Sequence, residues 1–200
     1  MPMQPMFKPL LEHVVRWLTC PRMLHGFRAH DGAWLAHTRV STACEIETRD
    51  RLRIDDHVFI GHFNFIDASG GLFIGEGTQI TNHVSLLTHS SHVATRLMGR
   101  AYWGAPQPVG FIREATHVGP YCFIGAQSVI MPGTRLGRGV LVRAHSYVDG
   151  VFPDYAVVAG QPARVIGDVR ELDTEWMKSH PELAGHYCGI GWTEAKSARR

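Results

Sequence analysis

From Ile54 onward an aliphatic side chain returns at every sixth position. Ile54, Ile60 and Ile66 form the first set, and a two-residue insertion precedes Ile74, Ile80 and Leu86. After a long irregular stretch come Val118, Ile124, Ile130, Leu136, Val142 and Val148. A period of six fits neither the 3.6-residue stripe of an amphipathic helix nor the plain alternation of a half-buried strand. The residue after the aliphatic is Gly or Asp in eight of the twelve cases, types that tolerate turn conformations. The fifth position is mostly small or β-branched (Val58, Thr78, Cys122, Ser128), which suits a narrow interior. The pattern predicts an all-β solenoid of short parallel strands, three hexads to each triangular coil, with the aliphatics stacked into one core. A weaker first turn starts near Val40 and Ile46.

The ends follow other rules. Phe7, Leu10, Leu11, Val14, Val15 and Leu18 share one helical face, opposite Lys8, Glu12, His13 and Arg16. This predicts an N-terminal helical cap over 1–37, packed on the first coil. With Lys8, Arg16, Arg22 and Arg28 nearby, peripheral membrane contact is the lesser reading of the same helix. The solenoid then covers 38–167, interrupted by an excursion over about 91–116. Past Ile166 the period is lost, and a C-terminal extension (168–200) holds a short helix over Glu171 to Ser179 and a frayed end from Ala195.

Composition narrows the class. The chain has 200 residues, 44% hydrophobic and 19% charged, with a formal net charge of +2. That suits one soluble domain and supplies no basic field for nucleic acid. Cys20, Cys44, Cys122 and Cys188 are scattered without a Cys-x-x-Cys pair, so a reducing, cytoplasmic setting is expected. Neither a long apolar run nor a secretory leader is evident.

The chemistry concentrates in "HVSLLTHSSH", residues 83–92, with three histidines in ten positions. The hexad phase separates them: His83 lies within a regular coil, His89 at the point where the coil opens, and His92 at the start of the excursion. A histidine held by the coil yet open to a cleft suits a general base near neutral pH. The His-x4-His pairs His57/His62 and His25/His30 keep a metal reading open.

Three further stretches carry a resemblance: Thr88-His89 before the excursion, "FIGAQSVIMPG" (123–133) after it, and "VVAGQPARVIG" (157–167) at the close. Together they resemble the hexapeptide-repeat acyltransferases, in the maltose- and galactoside-acetyltransferase-like branch that also modifies polysaccharides. The resemblance implies a left-handed parallel β-helix, a hand that spacing does not reveal. It implies acetyl-CoA as acyl donor, no metal, a saccharide acceptor, and a homotrimer with sites between subunits. It assigns His89 as catalytic base and the Ala126 N–H as oxyanion donor. It places coenzyme A against Phe123, Ala126, Arg143, Ala144 and Arg164. The excursion, with His92, Tyr102 and Trp103, is read as acceptor-binding or equally as packing against a neighbouring subunit, because a loop this long in a compact solenoid is usually functional. Direct transfer in a ternary complex is expected, since no cysteine or serine pairs with His89 in sequence.

Some positions depart from the family pattern. Arg143-Ala144-His145 replaces Gly-Ala-Gly, and Asp149-Gly150 stands where Thr-Lys is common, so Arg143 or Arg138 substitutes for the missing phosphate lysine. Gly61 aligns with an active-site Asn of the galactoside enzymes, which leaves Asn64 as a structural residue. N-acetylation of an amino sugar is one alternative. A metalloenzyme resembling the gamma-class carbonic anhydrases is the other.

Overall fold

A computed structural model describes residues 7–189; the end expected to fray over 195–200 lies outside them. The chain winds as a three-faced solenoid. Face one contains the parallel strands Phe59–Ile60, Gln79–Ile80, Phe123–Ile124 and Leu141–Val142. Face two runs from Glu45–Glu47 through Phe65–Asp67, Ser85–Leu86 and Val129–Ile130 to Tyr147–Val148. Face three runs from Leu52–Ile54 through Leu72–Ile74, Thr116–Val118 and Arg135–Leu136 to Val151–Phe152. Each strand pairs in parallel with its counterpart in the next coil, so Ile60 meets Ile80 and Ile80 meets Ile124.

All twelve aliphatic hexad positions are in the core, none more than 7% exposed. The weaker first turn is also present: Val40 is buried and Ile46 packs against the core. Asn64 is structural, as expected. It is buried, donates to the Gly61 and Thr81 carbonyls, and accepts from the Val84 N–H.

The glycines after the aliphatics serve a different purpose from the one expected. The left-handed residue of each corner comes three positions after the aliphatic and is often not glycine, as at His57, His83, Gln127 and His145. Gly125 is instead required by close approach of the next coil. A Cβ there would stand 2.4 Å from the backbone nitrogen of Ala144.

The N-terminal segment is only partly helical. Helix α1 (Phe7–Thr19) forms, but Met23–Arg28 and Trp34–Ser41 make an antiparallel hairpin that edges face one. The apolar face of α1 does not cover the first coil. Leu10, Leu11, Val14, Val15 and Leu18 are all exposed, Leu18 at 66%. The helical periodicity was sound, but a helix pattern cannot say which surface will cover it. A second antiparallel pair, Ala156–Gly160 with Ala163–Asp168, closes the far end of face one, before the helix Val169–Ser179. Among the described residues no helix is long and apolar enough to cross a membrane.

Ile80→Ala should lower stability by about 2–5 kcal/mol, because its cavity would open between Ile60 and Ile124. Chemical denaturation checks this, and a loss well under about 1 kcal/mol would contradict a close-packed column.

Candidate active site

The excursion leaves the solenoid at the corner between faces two and three of the third coil. Its two arms are held together where His89–Ser90 pairs antiparallel with Ile112–Arg113, His89 directly opposite Arg113. The Glu114 N–H donates to the Thr88 carbonyl, and the Thr116 hydroxyl donates to the Leu87 carbonyl. The base of the loop is therefore tied to the coil by backbone and side-chain hydrogen bonds.

The same corner one coil earlier supplies Asp67, the last residue of a face-two strand and fully buried. One carboxylate oxygen accepts from the Ser69 N–H at 2.8 Å. The other accepts from the Thr88 N–H and the Thr88 hydroxyl, both at 2.8 Å, and lies 2.7 Å from His89 Nδ1. Burial pushes the Asp67 pKa up, but the hydrogen bonds from Ser69 and Thr88 outweigh it and hold the carboxyl well below the usual carboxylate range. An ionised carboxylate only accepts, so Nδ1 carries the proton. The neutral ring then keeps its lone pair on Nε2. The His89 side chain is 36% exposed. The ring also stacks on Phe111, with centroids 5.6 Å apart and planes 16° apart.

Asp67, Phe111 and Arg113 were not among the expected site residues. Asp67 sits in the hexad slot read as turn-tolerant, and only its position directly beneath Thr88-His89 gives it away. Phe111 and Arg113 lie in the returning arm, whose register no periodicity sets. The Ser69 hydroxyl lies 3.0 Å from His89 Nδ1, so a serine does approach the ring, contrary to expectation. It does so on the nitrogen that faces Asp67.

The other expected residues fall in three places. Ala126, Arg143 and Ala144 share the corner between faces one and two, where the His145 N–H donates to the Ala126 carbonyl. Arg164 lies on the closing hairpin opposite Ala159, just past that corner, and donates to the Ala163 carbonyl. Phe123 stands on face one and helps line a hollow of about 320 Å³ with Tyr121, Arg138, Leu141 and Tyr155. Arg138 is thus on the opposite edge of face one from Arg143, one guanidinium nitrogen buried without a hydrogen-bond partner. His92 opens helix α2 (His92–Met98) and contacts the Ser90 hydroxyl at 2.7 Å. Tyr102 and Trp103 make an edge-on pair further along the excursion, Trp103 being 82% exposed.

Within one chain the width of face two separates His89 from Ala126, so the structure does not bring the expected base and the expected oxyanion donor together. His57 and His62 are likewise split, at the two ends of one face-one strand. His57 stacks on His37, and His62 contacts the Ser41 hydroxyl. Among the described residues no three His, Cys, Asp or Glu side chains gather as metal ligands. Burial pushes the thiols of Cys44 and Cys122 up to about 12.

A triangular parallel solenoid with an aspartate-oriented histidine at a looped-out corner defines a class of repeat-built transferases, and comparison with known proteins agrees. Residues 115–150 match the family described as bacterial transferase hexapeptide (six repeats). A probable acetyltransferase of Mycobacterium tuberculosis is 26% identical over 151 residues, 74% of this chain and 47% of that protein. The putative lipopolysaccharide biosynthesis O-acetyl transferase WbbJ of Escherichia coli is 27% identical over 131 residues, 65% of this chain and 64% of that protein. The chain thus spans less than two thirds of the length of both. A solved hexapeptide-repeat acetyltransferase from Vibrio cholerae, complexed with acetyl coenzyme A, superposes with a TM-score of 0.52 at 25% identity, covering 62% of this chain and 64% of the other. Residues 115–150 thus carry the repeat of the hexapeptide-repeat transferases, and the relatives named alongside are acetyltransferases.

Asp67→Asn should cost about 1–3 kcal/mol at neutral pH, since buried donors lose a charged acceptor. The depressed native pKa makes this contribution full above the unfolded carboxylate range of about 4. It is lost as the pH falls through the native value. Denaturation of wild type and variant from pH 7 downward should show the gap closing in acid. A constant gap would contradict the charge-based account.

Proposed function

We propose that the protein transfers an acetyl group from acetyl-CoA to a hydroxyl of a saccharide acceptor, on a left-handed β-helix, with His89 as general base. The observation that carries this reading is the Asp67–His89 pair, which engages Nδ1 and, in the neutral ring, puts the lone pair on Nε2 of a part-exposed side chain at the root of the excursion. Nε2 takes the acceptor hydroxyl proton as the oxygen attacks the thioester carbonyl carbon. The tetrahedral intermediate collapses with cleavage of the carbon–sulfur bond. The imidazolium returns the proton to the departing thiolate, so acetylated acceptor and free CoA thiol leave. Asp67 stabilises the imidazolium in between without taking its proton.

Direct transfer in a ternary complex fits the buried thiol of Cys122 and the half-buried thiol of Cys44, both kept protonated by burial and so poor nucleophiles. The Ser69 hydroxyl is engaged with the Asp67 carboxylate and His89 Nδ1, on the side of the ring turned away from the acceptor in this reading. The acyl donor would lie along the corner between faces one and two. There Ala126 and Ala144 leave the backbone uncovered, the Ala126 N–H receives the oxyanion, and Arg143 and Arg164 meet the phosphates. Phe123 would pack beside the donor from face one. Because His89 occupies the next corner, the complete site joins one chain's corner to a neighbour's, in a homotrimer. Tyr102 and Trp103, out on the excursion, offer ring faces to a sugar. The name of the WbbJ relative favours a polysaccharide or its precursor as acceptor.

His89→Ala should lower thiol release from acetyl-CoA, assayed over a panel of sugars, by on the order of 10²–10⁴-fold. Its denaturation midpoint should stay close to wild type. Near wild-type turnover in the variant would remove the assignment.

A further inference from the structure

The returning arm of the excursion places a second functional group beside His89. His89 and Arg113 are direct partners across an antiparallel pair, so their side chains leave the same face of it. Both stand against one ring: the imidazole stacks on Phe111 at 5.6 Å, and the Arg113 guanidinium lies 5.2 Å from the same centroid. Phe111 and Arg113 line a hollow of about 400 Å³ with Ala105, Pro106, Gln107 and Pro108. That hollow contains no acidic side chain.

Arg113 has no carboxylate of its own. Among the described residues it makes no ion pair. The nearest acid in sequence, Glu114, is turned toward the next coil, where its carboxylate would meet a Cβ built on Gly133. Asp67 is buried beneath Ser69 and Thr88 and committed to His89. The excursion between Ser91 and Thr116 holds Arg96, Arg100 and Arg113 against Glu114 as its lone acid. A planar guanidinium held by an aromatic face, exposed at a hollow and lacking a counter-ion, is arranged to take two oxygens of a carboxylate or phosphate at once.

Resting on the proposed acyl transfer by His89, we propose that the acceptor is an anionic sugar, a uronate or sugar phosphate. Its charged group pairs with Arg113 in this hollow while its reacting hydroxyl faces His89 Nε2. Arg113 is a specificity-determining residue: it binds the part of the acceptor that does not react. The proposal separates acceptor recognition, on the excursion, from recognition of the acyl donor's phosphates at the other corner.

The test titrates wild type, Arg113→Gln, Arg113→Lys and Arg100→Gln with glucuronate, glucose 6-phosphate and glucose at constant ionic strength. Binding is read from the His89 and Phe111 ring resonances by NMR. The wild type should bind both anions and should bind glucose at least about 10-fold more weakly. Arg113→Gln should weaken the anions by about 10- to 100-fold, the range expected for a charge-assisted pair, and leave glucose unchanged. Arg113→Lys should recover part of the loss. Arg100→Gln, which makes the same charge change elsewhere on the loop, should behave as wild type. The tighter of the two anions identifies the charged group. Equal binding of glucose and the anions to wild type, or equal anion affinity in Arg113→Gln, would overturn the proposal. His89→Ala remains a separate check: its inactivity with an unchanged Arg113→Gln would remove this inference and leave the acyl transfer standing.

Discussion

Two backbone N–H groups, of Ser69 and Thr88, turn into the corner between faces two and three, where their partner is a side chain, the buried carboxylate of Asp67. A buried charge without such donors would cost several kcal/mol, and buried donors without an acceptor would each cost about 1–3 kcal/mol. Each half of this arrangement therefore requires the other. Once it is made, the remaining free direction at the carboxylate points to His89 Nδ1. The interaction that closes the corner is thus also the one that sets the tautomer of the histidine. Structural and chemical demands meet on one residue, and the lone pair on Nε2 follows from them.

The solenoid supplies the rigidity on which this depends. Coils repeat at the spacing of paired strands, so residues at equivalent corners of successive coils are stacked. Asp67 and Thr88-His89 are such neighbours. The close approach that excludes a side chain at Gly125 shows how little slack there is between coils. A loop rooted in so stiff a corner can vary further out without disturbing the histidine at its root.

Much of this was legible in the sequence, for a physical reason. The hexad period reports burial, and burial in a prism has few solutions, so all twelve aliphatic positions, the triangular coil and the inward Asn64 could be read in advance. His89 was legible because it sits where the period breaks. The role of Asp67 was hidden because Asp and Gly occupy the same hexad slot for unrelated reasons, one for its carboxylate and the other for close backbone approach. Phe111 and Arg113 were hidden because cross-strand register in an irregular loop leaves no periodic trace. Helix α1 shows the converse limit: its amphipathic pattern was plain, yet its apolar face meets no coil. The separation of His89 from Ala126 by a full face is consistent with the site between subunits that the family resemblance implies.

The most direct test of the account is the protonation of His89 itself. In protein labelled with ¹⁵N in its histidines, two-bond correlation spectra distinguish Nδ1–H from Nε2–H in the neutral ring. The account predicts Nδ1–H with an unprotonated Nε2 for His89 in the wild type, and loss of that single tautomer in Asp67→Asn. A wild-type His89 carrying its proton on Nε2 would contradict it, because the edge assigned to the acceptor would then have no lone pair to receive a proton.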